Sequence, residues 1–123
     1  MGYRSEVKSV IYGANNEVSA FKADNFDLFT KVCEEFGGDI KHIIKADEEI
    51  IYLSQDYVKW YDEYEEVQMW NELLALAQEA GLCTEFVRVG ENAEGDIEQD
   101  YVGVGNMIYL SPRITIDVGF SEV

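Results

Sequence analysis

Residues 56–81, DYVKWYDEYEEVQMWNELLALAQEAG, decide the fold. Val67, Trp70, Leu73, Leu74, Ala77 and Ala80 recur at helical spacing, while Gln68, Asn71, Glu72 and Glu79 take the opposite side. That pattern predicts an amphipathic helix seated on a core, ended by Gly81. Asp62 is placed as its N-cap, with Glu65 three residues on as a capping-box partner and Glu63 and Glu66 near the positive end of the helix dipole. The lead-in is aromatic: Tyr57, Trp60, Tyr61 and Tyr64 alternate with acids before the apolar run begins.

Outward from this helix the periodicity changes from 3.6 to 2 on both sides. Residues 4–12 alternate charged and small or apolar side chains before Val10, Ile11 and Tyr12 turn apolar on both faces, a strand with a buried end. Residues 13–23, with a glycine and two asparagines, read as a loop. Asp24 or Asn25 can cap a helix whose stripe is Phe26, Phe29, Val32, Cys33 and Phe36, and Gly37-Gly38 stops it. Residues 40–45 and 49–54 form a hairpin around an acidic turn. After Gly81 come strands at 83–89, 97–102 and 107–111, with a last strand-like run near Ile114, Ile116 and Val118 beyond Pro112. The order is βαββαβ followed by further strands. It predicts an α+β fold, a ferredoxin-like core with two helices on one face of an antiparallel sheet plus C-terminal strands. At 123 residues, with no linker or low-complexity tract, positions 1–123 are expected to form one domain.

Charge is the most unusual property of the chain. There are 25 acidic and 9 basic residues, a formal net charge of −16. Residues 1–59 hold 11 acids and 7 bases, residues 60–123 hold 14 acids and 2 bases. Such a field disfavours direct contact with nucleic acid or an anionic membrane, both of which require cationic groups, and favours a partner with a basic surface. The N-terminal residues have no apolar signal region, no window reaches the length of a membrane span, and the two cysteines, Cys33 and Cys83, form no CxxC pair. A reduced, cytoplasmic protein is expected.

Candidate chemistry is sparse. The run at 90–100 holds Glu91, Glu94, Asp96, Glu98 and Asp100, carboxylates of the kind hard cations select, but without the DxDxDG register of a calcium loop. Acids at Asp62, Glu63, Glu65 and Glu66 are accounted for by the helix dipole without general acid–base work. His42 stands in KHIIK with no ligand-spaced neighbour, neither cysteine has a flanking histidine, and GVG at 103–105 precedes a strand where a phosphate loop would precede a helix. No catalytic residue, metal site or cofactor is expected. What helix formation leaves over is a mixed aromatic and acidic surface. Asp56, Tyr57, Tyr61, Asp62, Glu63, Tyr64, Glu65 and Glu66, together with Glu91, Glu94, Asp96, Glu98 and Asp100, are the expected partner-binding residues, since tyrosine beside carboxylate suits an Arg- or Lys-rich surface.

Three segments carry a resemblance. MGYRSEV at 1–7, VKWYDEYEEVQ at 58–68 and FVRVGENAEGDIE at 86–98 are similar to a family of small, uncharacterised proteins encoded by bacteriophages and prophages. The resemblance supplies no catalytic residues. It implies a setting inside an infected host cell, where an acidic accessory protein could block a cationic, nucleic-acid-handling host protein, as an anti-defence inhibitor does. A small cation- or ligand-binding domain using residues 90–100, or an assembly protein whose acidity serves solubility alone, are the other readings the residues allow.

Overall fold

Strand β1, Ser5–Ala14, is the middle of the molecule because both of its faces are apolar where the chain turns hydrophobic. The structure is a computed structural model that describes residues 4–91, 96–103, 107–110 and 116–120. After β1 come α1 (Asn15–Asp24), α2 (Phe26–Phe36), a 3-10 turn (Gly37–Asp39), β2 (Ile40–Ile44), β3 (Glu48–Val58), α3 (Glu65–Glu79), β4 (Cys83–Gly90), β5 (Ile97–Val102), β6 (Ile108–Leu110) and β7 (Ile116–Val118). β1 pairs antiparallel with β3 on one side and β4 on the other, and the five-stranded order is β2-β3-β1-β4-β5. Every pair in it is antiparallel. This is the expected split βαββαβ arrangement of an α+β fold, extended by β5 and by a separate β6–β7 hairpin.

Alternation along the strands sorts side chains onto two faces. Val7 and Ile11 of β1, Ile51 and Leu53 of β3 and Phe86 of β4 join Val18, Phe21, Phe29, Val32, Phe36, Trp70, Leu73 and Leu74 beneath the helices. On the reverse face Val10, Tyr12, Ile50, Tyr52, Val87 and Val89 pack with Ile108 and Ile116 of the hairpin. The sheet is therefore covered on both sides. A buried network joins its layers: Trp70 Nε1 donates to Ser9 Oγ at 3.0 Å and Ser9 Oγ donates to the Glu85 carbonyl at 2.7 Å. The Glu85 carboxylate in turn accepts from Tyr12 Oη at 2.7 Å and from the Ile108 N–H at 2.9 Å, which fastens the hairpin to the sheet.

Several expectations are corrected. Residues 15–24 are helix α1, where a loop was expected. Its two buried residues, Val18 and Phe21, seat it, and Asn15 Nδ2 pins its start to the carbonyls of Lys45 and Ala46. The helical layer thus holds three helices, the first crossover being broken at Asn25 into two. Asn25 occupies the N-cap position of α2 but its side-chain amide donates back to the Phe21 carbonyl, making no cap bond. Phe26, placed in the core stripe, is exposed, as is Ala80. Helix α3 begins at Glu65 with Tyr64 as N-cap, so Asp62 and Glu65 form no capping box. Strand β3 runs four residues further than expected, to Val58.

The open end of the reverse face is acidic. Lys8 Nζ bonds Tyr52 Oη and Ser54 Oγ, each at 3.1 Å. Burial pushes the neighbouring Glu6 carboxyl above its ordinary range, with Asp56 adding to the effect and Lys8 opposing it. A raised native pKa means the folded state holds the proton more tightly than the unfolded one, so this contribution to stability is present at low pH and lost as pH rises through the native value. Glu6→Gln is expected to melt higher than the parent near neutral pH, the gap narrowing as the pH falls toward about 4. Equal melting temperatures of variant and parent near neutral pH would contradict this sign.

Candidate functional site

The chain between β3 and α3 is held by Trp60. Its indole lies against Phe36, centroids 6.1 Å apart and nearly parallel, and against Phe86 at 5.9 Å. Anchoring there carries residues 60–64 across the helix-side end of β4 and explains why the helix starts late: the Tyr64 N–H closes a turn onto the Tyr61 carbonyl at 3.0 Å before α3 begins. The rings of Tyr61 and Tyr64 then meet at a tilt of 60°, centroids 5.3 Å apart, and Asp62 and Glu63 are left exposed.

Opposite them stands Arg88, whose Cα partner across β4–β5 is Glu98. Its Nε donates to Glu98 Oε1 at 2.7 Å, Nη2 to Asp96 Oδ1 at 2.6 Å, and Nη1 to Asp96 Oδ2 at 3.3 Å and to Ser5 Oγ at 3.0 Å. The Asp96 hydrogen bond, opposed by burial and helped by Glu98, raises the guanidinium's already high pKa, so it is a fixed cation. Trp60, Tyr61, Asp62, Glu63, Arg88 and Glu98 line a cleft of about 330 Å³. Asp96 and Glu98 offset the single positive charge of Arg88, and Asp62 and Glu63 are added to that. The cleft is net negative, with aromatic walls.

Of the expected partner-binding residues, the structure brings Tyr61, Asp62, Glu63 and Glu98 into this one cleft, with Asp96 behind it on Arg88. Tyr64 borders it through Tyr61, while exposed Glu65 and half-buried Glu66 begin α3. Asp56 is not part of it; it lies by Glu6 on the reverse face. Tyr57 is separate too. From Val7↔Gln55 to Ser5↔Val58 the β3 strand carries one extra residue, and at this bulge Tyr57 takes φ +55°, a left-handed conformation rare for an aromatic residue. The bulge turns its ring outward, 73% exposed, with the Arg4 guanidinium 5.3 Å from its centroid. Glu91 accepts from the Arg4 N–H at 2.6 Å, Asp100 is exposed on β5, and Glu94 lies outside the described residues.

Sequence reasoning missed two groupings. Arg88 is one of only two basic residues after position 59, and that rarity was the available signal; its partners become visible only with the β4–β5 register. Cys33 and His42 also meet, Sγ to Nε2 at 4.0 Å, with the imidazole tilted against Phe29. Burial raises the thiol pKa, with Lys22 opposing it, and burial together with Lys22 lowers that of the imidazole, so the pair is uncharged at neutral pH and is no activated nucleophile. Both cysteines are free thiols. Among the described residues, no three His, Cys, Asp or Glu side chains converge to hold a metal ion, and no helix is long and apolar enough to cross a membrane. No protein-family model, curated protein or solved structure matches the chain.

Proposed function

We propose that the protein is a non-enzymatic binding protein that captures a basic surface of another protein, seating an arginine or lysine side chain in the Trp60–Glu98 cleft. The observation that carries this reading is the convergence in one cleft of two acidic stretches more than thirty residues apart, Asp62-Glu63 and Glu98, beside the rings of Trp60 and Tyr61. A cation entering it meets carboxylates and aromatic faces together, a combination that holds guanidinium and ammonium groups. The surrounding field, from 14 acids against 2 bases after residue 59, steers basic partners and repels nucleic acid. Together with the resemblance to phage-encoded proteins, this supports an accessory factor that occupies a cationic channel of a nucleic-acid-handling host protein, in the host cytoplasm.

Pull-downs from bacterial lysate at low salt are expected to recover such a protein and to lose it as salt rises. Tyr61→Ala should weaken that complex by about thirtyfold, the scale of an aromatic interface anchor of about 2 kcal/mol. Asp62→Lys with Glu63→Lys, both at exposed positions, should abolish capture without lowering the melting temperature. Recovery of only acidic or neutral partners would defeat the reading.

A further inference from the structure

The single histidine of the chain faces a thiol, His42 Nε2 lying 4.0 Å from Cys33 Sγ. Neither residue lines the Trp60–Glu98 cleft, and the pair is independent of the partner reading. Core packing places both side chains. Cys33 follows buried Phe29 by one turn of α2, so the two share a face of that helix. His42 stands on β2 opposite Ile51 of β3, which belongs to the core beneath the helices. Its ring therefore takes the helical side of the sheet, where it rests against Phe29 with centroids 5.2 Å apart. Cys33 is half-buried and His42 is exposed, so solvent reaches the pair.

A thiolate sulfur and a neutral imidazole nitrogen are ligands that suit Cu(I) and Zn(II). Ligand number and charge separate these two ions. Zinc sites draw three or four ligands from the protein, and among the described residues no third His, Cys, Asp or Glu joins the pair. Cu(I), a soft closed-shell ion, is satisfied by two. With bonds of about 2.3 Å to sulfur and about 2.0 Å to nitrogen, an ion joined to both atoms at their present separation makes an angle of about 135°, opened from the tetrahedral value of about 109° toward two-coordinate geometry. The charge of Lys22, ion-paired to Glu49, acts on both the thiol and the imidazole. A thiolate bound to Cu(I) is neutral beside that lysine, whereas one bound to Zn(II) adds a positive charge to it.

We propose that Cys33 and His42 form a two-ligand site for Cu(I). As the Cu–S bond forms, the thiol proton leaves to solvent; Nε2 contributes its lone pair, and no electron is transferred. The bound ion ties α2 to β2 across the Gly37–Asp39 turn.

The test is an anaerobic titration of the reduced protein against Cu(I) held by a chromogenic chelator. The parent is expected to withdraw one equivalent, and its melting temperature to rise with Cu(I), since an ion that binds only the folded state stabilises it. Cys33→Ser should abolish withdrawal and His42→Asn should weaken it by about tenfold or more. Cys83→Ser, which removes the other free thiol, should leave it unchanged. Melting temperatures without metal show that the variants are folded. The parent also gives a measurement that needs no substitution: one equivalent of Cu(I) should slow alkylation of Cys33 by about tenfold or more, read by peptide mass spectrometry, and leave that of Cys83 unchanged. No withdrawal by the parent would overturn the inference, as would full binding by Cys33→Ser or equal alkylation of Cys33 with and without Cu(I). Unweakened binding by His42→Asn would reduce the site to a thiol alone and overturn it equally. Displacement of Cu(I) by an equal concentration of Zn(II) would overturn the assignment to a monovalent ion.

Discussion

Trp70→Ala should lower the unfolding free energy by about 3–5 kcal/mol, the range for truncating a large buried aromatic side chain. Trp70 is fully buried, meets Phe36 edge-on at 6.4 Å, and reaches through its indole N–H to Ser9 in the central strand. Alanine removes the ring and leaves Ser9 Oγ with its donated bond to Glu85 but no indole. Against a total of about 5–15 kcal/mol for a domain, that is a large share, and the melting temperature should fall by more than about 10 °C. Trp70→Phe separates the contributions. It keeps most of the packing and loses the hydrogen bond, at about 1–2 kcal/mol. Denaturant unfolding followed by circular dichroism measures both, and a loss below about 1 kcal/mol for the alanine variant would mean that α3 is not seated on β1 through this residue.

The second large effect is expected at Glu85. This side chain is 1% exposed, and its carboxylate has two hydrogen-bond donors, the Tyr12 hydroxyl and the Ile108 N–H. Burial first, then the bond to Glu85, raise the Tyr12 phenol pKa, so the hydroxyl remains a donor throughout the physiological range. Glu85→Ala leaves the Ile108 N–H without its acceptor and takes the charged acceptor from the Tyr12 hydroxyl, together costing about 2–4 kcal/mol. Glu85→Gln keeps an oxygen for Ile108 and should be much milder. The two variants also differ locally. Because Ile108 begins the β6–β7 hairpin, its amide should exchange with solvent faster in Glu85→Ala than global unfolding accounts for. Exchange of that amide at the global rate would show that the hairpin is not fastened to the sheet through Glu85.

The strand and helix order was legible because each element that packs on a broad surface shows its period. Helix α3 buries Val67, Trp70, Leu73, Leu74 and Ala77, five points on one stripe. Helix α1 was not legible, because its apolar side is only Val18 and Phe21 and its first residues are asparagines that favour turns; tertiary contacts with β1 and the β2–β3 turn decide it. The capping box failed for a related reason. Asp62 and Glu65 have the right spacing, yet Trp60 wedged between Phe36 and Phe86 sets where the chain can turn. At the candidate site, Tyr61, Asp62 and Glu63 could be picked out by local composition, whereas their meeting with Arg88 and Glu98 depends on strand order. Neither Tyr57 nor Asp56 could be separated from the cleft residues without the bulge that re-aims them.

The central position of β1 also bears on the timing of folding during synthesis. The strand leaves the ribosome ahead of both its partners, which come late: Ile11 pairs with Ile51 on one side and with Thr84 on the other. At about 5–20 residues per second, the wait for β4 after β1 is made amounts to some seconds. Throughout that interval Val7, Val10 and Ile11 have only one neighbouring strand to shield them, and only once β3 has emerged. A nascent chain of this topology is thus a natural client for chaperones that hold extended apolar segments, and its yield in cells should depend on translation speed across residues 59–83.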